Sequence, residues 1–157
     1  MSDLTDLYQE VLIEHGRKPH NRGELPDATH EAQGYNPLCG DRVQLQVKLD
    51  SAGRIVAAMH TGQACAICTA STSIMTERIK GMDESAIEKL HNAFHDLVAG
   101  DDATTDATAP VDEQALGELV ALAGVKRFPM RVKCATLPWH TLKQALAGGG
   151  VASNEEE

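Results

Sequence analysis

Residues 43–49 alternate with a period of two: Val43, Leu45, Val47 and Leu49 are apolar, and Gln44, Gln46 and Lys48 between them are polar. That pattern belongs to a pleated strand with one face in a core and the other toward water, because successive side chains point to opposite faces. Asp50-Ser51-Ala52-Gly53 reads as a turn, and Arg54–His60 as a second strand returning antiparallel to the first. A lone hairpin is marginal in water, so the remaining chain must cover its apolar face.

The remaining chain supplies helices. Leu4, Leu7, Tyr8, Val11 and Leu12 keep the three-and-four spacing of an amphipathic helix, which Gly16 and Pro19 end. Residues 17–38, rich in Gly, Pro, Asn and His, read as a long loop or arm. Helices are expected over Ile67–Lys80 and Ser85–Val98, separated at Gly81, the second marked by Ile87, Leu90, Phe94, Leu97 and Val98. Residues 100–111 are poor in apolar side chains and read as an exposed inserted loop. A further helix is expected around Asp112–Ala123 on Leu116, Leu119 and Val120. A last one is expected from Pro138 to Ala147, with Pro138 in its first turn and Trp139, Leu142 and Leu146 on one face. The expected organisation is one α+β domain over residues 1–147, followed by a disordered acidic tail at 148–157. Its core must be built from Ala, Leu, Val, Ile and Met, since only 3% of the residues are aromatic.

A net charge of -9 argues against a nucleic-acid binder, which needs a basic stripe to displace phosphate counterions. No apolar run approaches the roughly 20 residues of a membrane span. The start, Met1-Ser2-Asp3-Leu4, has neither the basic nor the apolar region of an export signal, so the expected location is the cytoplasm. Thiols stay reduced there, and the four cysteines read as metal ligands, redox groups or core residues rather than disulfides.

Cys39 and Asp41 lead into the first strand, two residues apart. If extended backbone begins at Cys39, both face the same way as Val43, Leu45 and Val47. Cys65 and Cys68 stand where the second strand passes into a helix, and Cys134 just ahead of the last expected helix. A helix N-terminus favours thiolate, the form that binds metal or attacks sulfur. Spacing alone leaves three readings: a mixed sulfur and oxygen site suited to tetrahedral Zn²⁺, a Cys65-x-x-Cys68 redox pair, or four small buried hydrophobes. The redox enzymes that use this motif set it in a βαβ unit, which a chain opening on a hairpin does not provide.

Tyr35-Asn36-Pro37-Leu38-Cys39-Gly40-Asp41-Arg42, Cys65-Ala66-Ile67 followed by Ala70-Ser71, and Arg131-Val132-Lys133-Cys134-Ala135-Thr136-Leu137-Pro138-Trp139 occur in this order. Together they resemble the SufU branch of the IscU/NifU-like iron–sulfur cluster assembly family, over about residues 4–147. The SufU branch is favoured because Lys133 stands where IscU-type scaffolds carry His before the last cysteine, and because 100–111 looks like an insertion of that branch.

The resemblance implies an IscU/SufU-like fold with a sheet of about three antiparallel strands. It implies Zn²⁺ held by Cys39, Asp41, Cys65 and Cys134, and a pyridoxal-phosphate cysteine desulfurase (SufS-like) as partner, with Arg131 in the docking surface. Cys39 would accept persulfide sulfur once a partner residue displaces it from the metal, and pass it to downstream assembly components. Two alternatives are a scaffold holding iron or a [2Fe–2S] cluster on the same cysteines, which Lys133 disfavours, and a structural zinc module for protein interaction. The chain departs from the pattern at Cys68, where Ser is usual, and at Ala64, where Gly is common. His91 and His95 share a helix face but have no cysteine nearby, and His60 ends a strand; all three read as ordinary histidines.

Overall fold

A computed structural model of the chain describes residues 2–37, 40–99, 116–148 and 151–153. Helix α1 (Ser2–Arg17) leads to strands β1 (His30–Asn36), β2 (Asp41–Leu49) and β3 (Ile55–Thr61). Helices α2 (Ala66–Arg78) and α3 (Glu84–Ala99) follow, then a 3₁₀ helix (Gly117–Arg127), helix α4 (Pro129–Leu146) and a short strand β4 (Val151–Ser153). The sheet order is β3-β2-β1-β4, antiparallel throughout except for the β1–β4 pair.

The expected hairpin is β2–β3, with Asp41, Val43, Leu45 and Val47 all buried on one face of β2. Among the described residues, helices pack on that face: α4 packs on β1 and β2, and α2 contacts both α1 and α4. Trp139, Phe94, Leu45, Ile74, Met75 and Leu142 are among the fully buried side chains of the core. Helix α2 is buried nearly all round from Cys68 to Thr76, so its small polar residues bond inward. Ser71 Oγ donates to the Ala135 carbonyl of α4 at 2.6 Å, and Ser73 Oγ accepts from the His20 amide at 2.7 Å.

Four expectations are corrected. The arm at 17–38 contains β1, which shows no apolar alternation because its inward positions are Ala32, Gly34 and Asn36. Small size is required there: a Cβ on Gly34 would overlap Thr141 Oγ1 of α4. Within the described residues, the helix expected around Asp112–Ala123 is a 3₁₀ helix that runs on to Arg127. Its buried Leu116, Leu119, Leu122 and Val125 repeat every third residue, which suits three residues per turn. The last helix begins at Pro129, not Pro138. Pro138 sits inside α4, where it withholds the amide that would bond the Cys134 carbonyl. Finally, part of the tail expected to be disordered pairs with β1: Gln33, Gly34 and Tyr35 align with Val151, Ala152 and Ser153, filling the strand's open edge. The insertion expected at 100–111 lies outside the described residues.

His91 on α3 is 5% exposed and stacks on Trp139 at 5.9 Å between centroids, with His140 and His95 edge-on at 5.7 and 6.4 Å. Neither of its ring nitrogens has a hydrogen-bond partner among the described residues. Burial, then Lys143, His140 and His95, push it down to about 4 from 6.5. A depressed histidine contributes stability that is complete above the unfolded value of 6.5 and is lost as the pH falls from 6.5 through 4. The loss reaches at most about 3 kcal/mol. His91→Phe keeps the stack and removes both buried nitrogens. Denaturant midpoints at pH 7 and 4.5 should therefore fall less in the variant than in the parent. Parallel losses in the two proteins would show that His91 is not an acid-labile point.

Candidate metal centre

Asp41, Cys65 and Cys134 come together from three elements, each able to offer one ligand atom, and those atoms all lie within 4.8 Å of one another. Asp41 opens β2, 1% exposed on the core-facing side, paired across the sheet with Asn36. Its carboxylate accepts from the Cys65 amide at 2.8 Å, tying the strand to the start of α2. The Cys65 Sγ stands 3.9 Å from the other carboxylate oxygen. The path into α2 needs Gly62, at φ +120, where a Cβ would collide with the Arg42 carbonyl. Next to it, the Arg42 amide donates to the Gln63 carbonyl at 2.8 Å, which holds Cys65 beside the head of β2.

Cys65 is the N-cap of α2, and its sulfur accepts from the Cys68 amide at 3.4 Å. Its thiol is lowered to about 6, first by the hydrogen bond from Cys134, against burial, with the Cys68 amide assisting and the Asp41 carboxylate opposing. Cys134 is fully buried and in the second turn of α4, not at a helix start as its sequence position suggested. The Cys65 sulfur, burial and the Asp41 carboxylate all push its thiol upward. Two sulfurs and a carboxylate this close repel one another as anions, and a cation among them would relieve that repulsion. The donor set of two thiolates and a carboxylate suits Zn²⁺, which takes both kinds of ligand.

Cys39, the fourth expected ligand, falls in the connection between β1 and β2 and lies outside the described residues. Beside it, the Gly40 amide bonds the Asn36 carbonyl at 2.8 Å. Cys68 is fully buried against Val43, Cys134 and Leu137. Arg131, in the first turn of α4, is held above its ordinary value by negative charge on Cys65 and then Cys134. The other histidines are elsewhere: His60 bonds the His20 carbonyl at 2.9 Å, and His91 and His95 are on α3. Asn36 had been given no role. It is 1% exposed, its side-chain amide points to the Cys134 sulfur at 4.0 Å, and its Oδ1 has no partner among the described residues. Its place in the Tyr35-Asn36-Pro37 run was the available signal.

A family model described as the NifU-like N terminal domain matches residues 7–135. The chain is 39% identical over 147 residues to the zinc-dependent sulfurtransferase SufU of Bacillus subtilis, covering 93% of each. It is 38% identical over 146 residues to the iron–sulfur cluster assembly scaffold protein IscU of Streptococcus pyogenes serotype M1, covering 93% of this chain and 86% of that one. A crystal structure of a putative iron–sulfur cluster assembly scaffold protein for the SUF system from Fervidobacterium islandicum superposes with a TM-score of 0.73 at 32% identity, over 87% of this chain and 94% of that one. The NifU-like N-terminal structure from Brucella abortus shares the fold, with a TM-score of 0.75 at 19% identity over 92% of this chain and 94% of that one.

Proposed function

The chain belongs to the NifU-like N-terminal domain family, and on that premise we propose that it is a zinc-dependent sulfur carrier of iron–sulfur cluster assembly, taking persulfide sulfur from a cysteine desulfurase. The observation that carries the reading is the convergence of Asp41, Cys65 and Cys134 within 4.8 Å, with Cys39 two residues before Asp41 in the sequence. Those four residues would hold the metal. Bound there, zinc keeps the thiolates deprotonated at neutral pH and damps their nucleophilicity until transfer.

The chain's own residues do the rest. The Cys39 thiolate attacks the outer sulfur of the partner's persulfide, a new sulfur–sulfur bond forms on Cys39, and the partner's thiolate leaves. Asp41 and the α2 N-terminus position Cys65, and Asn36 orients the Cys134 sulfur. Arg131 is the proposed docking residue for the desulfurase. What supports it is its setting: it is exposed, and so are Phe128 and Met130 just before it in the chain, at 61% and 56%.

A scaffold reading draws on the Streptococcus relative's name, whereas Lys133 gives it one good ligand fewer. Elemental analysis of the protein purified anaerobically under reducing conditions separates the two. About one zinc per chain is expected. Iron with acid-labile sulfide would move the assignment to the scaffold, and a metal-free, active protein would end the zinc reading. No helix is long and apolar enough to cross a membrane among the described residues.

A further inference from the structure

We propose that Cys65 and Cys68 are a redox-active dithiol that closes into a disulfide across the first turn of α2 when a hydroperoxide reaches Cys65. The two residues belong to one hydrogen-bonded turn: the Thr69 amide donates to the Cys65 carbonyl at 2.9 Å. Cys65, with φ -65 and ψ 167, turns its sulfur back over that turn, 3.4 Å from the Cys68 amide nitrogen. The Cys68 sulfur is only three bonds from the same nitrogen, and both side chains pack in the cluster of Val43, Cys134 and Leu137. A disulfide asks for Cα atoms about 4.4–6.8 Å apart, which a single closed turn satisfies without moving one element against another. Cys134 competes for Cys65 but sits on a different helix. Its sulfur lies within 4.8 Å of the Cys65 sulfur, but closing that pair would tie α2 to α4, whose spacing the Ser71–Ala135 bond at 2.6 Å already fixes.

Exposure sets the order of events. Cys65 is partly exposed and Cys68 is fully buried, so an oxidant meets Cys65 first. The Cys65 sulfur attacks one oxygen of the hydroperoxide, the O–O bond breaks, hydroxide or alkoxide leaves, and Cys65 becomes a sulfenic acid. Cys68 then attacks the Cys65 sulfur; the S–O bond breaks, the hydroxyl leaves as water with the Cys68 proton, and the S–S bond forms. Two thiols are oxidised by two electrons in all, and the peroxide takes both. The disulfide removes Cys65 from the Asp41–Cys65–Cys134 group, so a bound zinc would be shed. That last consequence rests on the proposed metal reading; the disulfide itself does not.

The test treats the zinc-loaded full chain with hydrogen peroxide in steps, blocks remaining thiols, digests without reductant and maps linkages by mass spectrometry. A chromogenic chelator reports zinc in parallel. The expected result is a Cys65–Cys68 disulfide as the main early product, with zinc released in step and rebound after dithiothreitol. In Cys68→Ser and Cys68→Ala the resolving thiol is missing. Cys65 should then pass to sulfinic acid, and the zinc recovered after dithiothreitol should fall about fivefold or more. Early linkage of Cys65 to Cys134 or Cys39, with Cys68 still open to alkylation, overturns the proposal. If the Cys65–Cys68 disulfide forms in a protein that held no zinc, the dithiol stands and the metal reading fails.

Discussion

Stripping zinc from the purified protein with a strong chelator is expected to lower its melting midpoint by roughly 10 °C or more. Metal binding contributes directly to folding when the unfolded chain has no preformed site. Here the donors come from the start of β2, the cap of α2 and the second turn of α4. For a chain of 150–250 residues each kcal/mol moves the midpoint by about 2–4 °C, so a contribution of only a few kcal/mol is enough. Loss of metal leaves the Asp41 carboxylate, 1% exposed, beside the Cys65 sulfur and the fully buried Cys134 sulfur with no cation between them. Cys134→Ala should reproduce most of the loss and bind less than about a tenth of the zinc of the parent. The chelator should then have little further effect on that variant. Unchanged melting after verified zinc removal would show that the three elements hold together without a metal.

The legible parts of the fold were those where one face is greasy and the other wet. Val43, Leu45 and Val47 fix the register of β2 because slipping by one residue would turn all three to water. In β1 the contrast is missing. Its inward residues are a small Ala, a Gly admitting Thr141 and an Asn beside the cysteines, so neither hydropathy nor periodicity marks the strand. Proline was misleading for a related reason. Two prolines, Pro129 and Pro138, could each open a helix, and only packing of Leu137, Trp139 and Leu142 against the core decides that the second is internal. The error carried over to the site. Asp41, Cys65 and Cys134 are together as their motifs suggested, but only Cys65 gains from a helix N-terminus, while Cys134 is pushed the other way by its neighbours. Such a difference depends on which buried groups face each other, which spacing along the chain does not encode.

Persulfide sulfur delivered by the desulfurase is expected on Cys39, and Cys39→Ala should lower the sulfur accepted by about 100-fold or more. The restraints on the other cysteines lead there. Attack on a persulfide requires a sulfur that can approach another protein's S–S bond along its axis. Cys134 is fully buried within α4, and Cys68 is fully buried in α2. Cys65 is partly exposed, yet it caps a helix through its sulfur and is bound to Asp41 through its amide, so reaching outward would release both bonds. Cys39 is in the connection between β1 and β2, between Pro37 and Gly40, the latter at φ +73, a conformation that glycine adopts without strain. The measurement mixes the protein with a cysteine desulfurase, pyridoxal phosphate and cysteine, blocks thiols without reductant and maps the added sulfur by mass spectrometry. Labelling confined to Cys65, Cys68 or Cys134, with Cys39→Ala accepting sulfur as fast as the parent, would sink the assignment. Zinc content measured on the same Cys39→Ala sample separates a lost acceptor from a collapsed site: the three described donors should retain part of the metal, whereas sulfur transfer should be lost almost entirely.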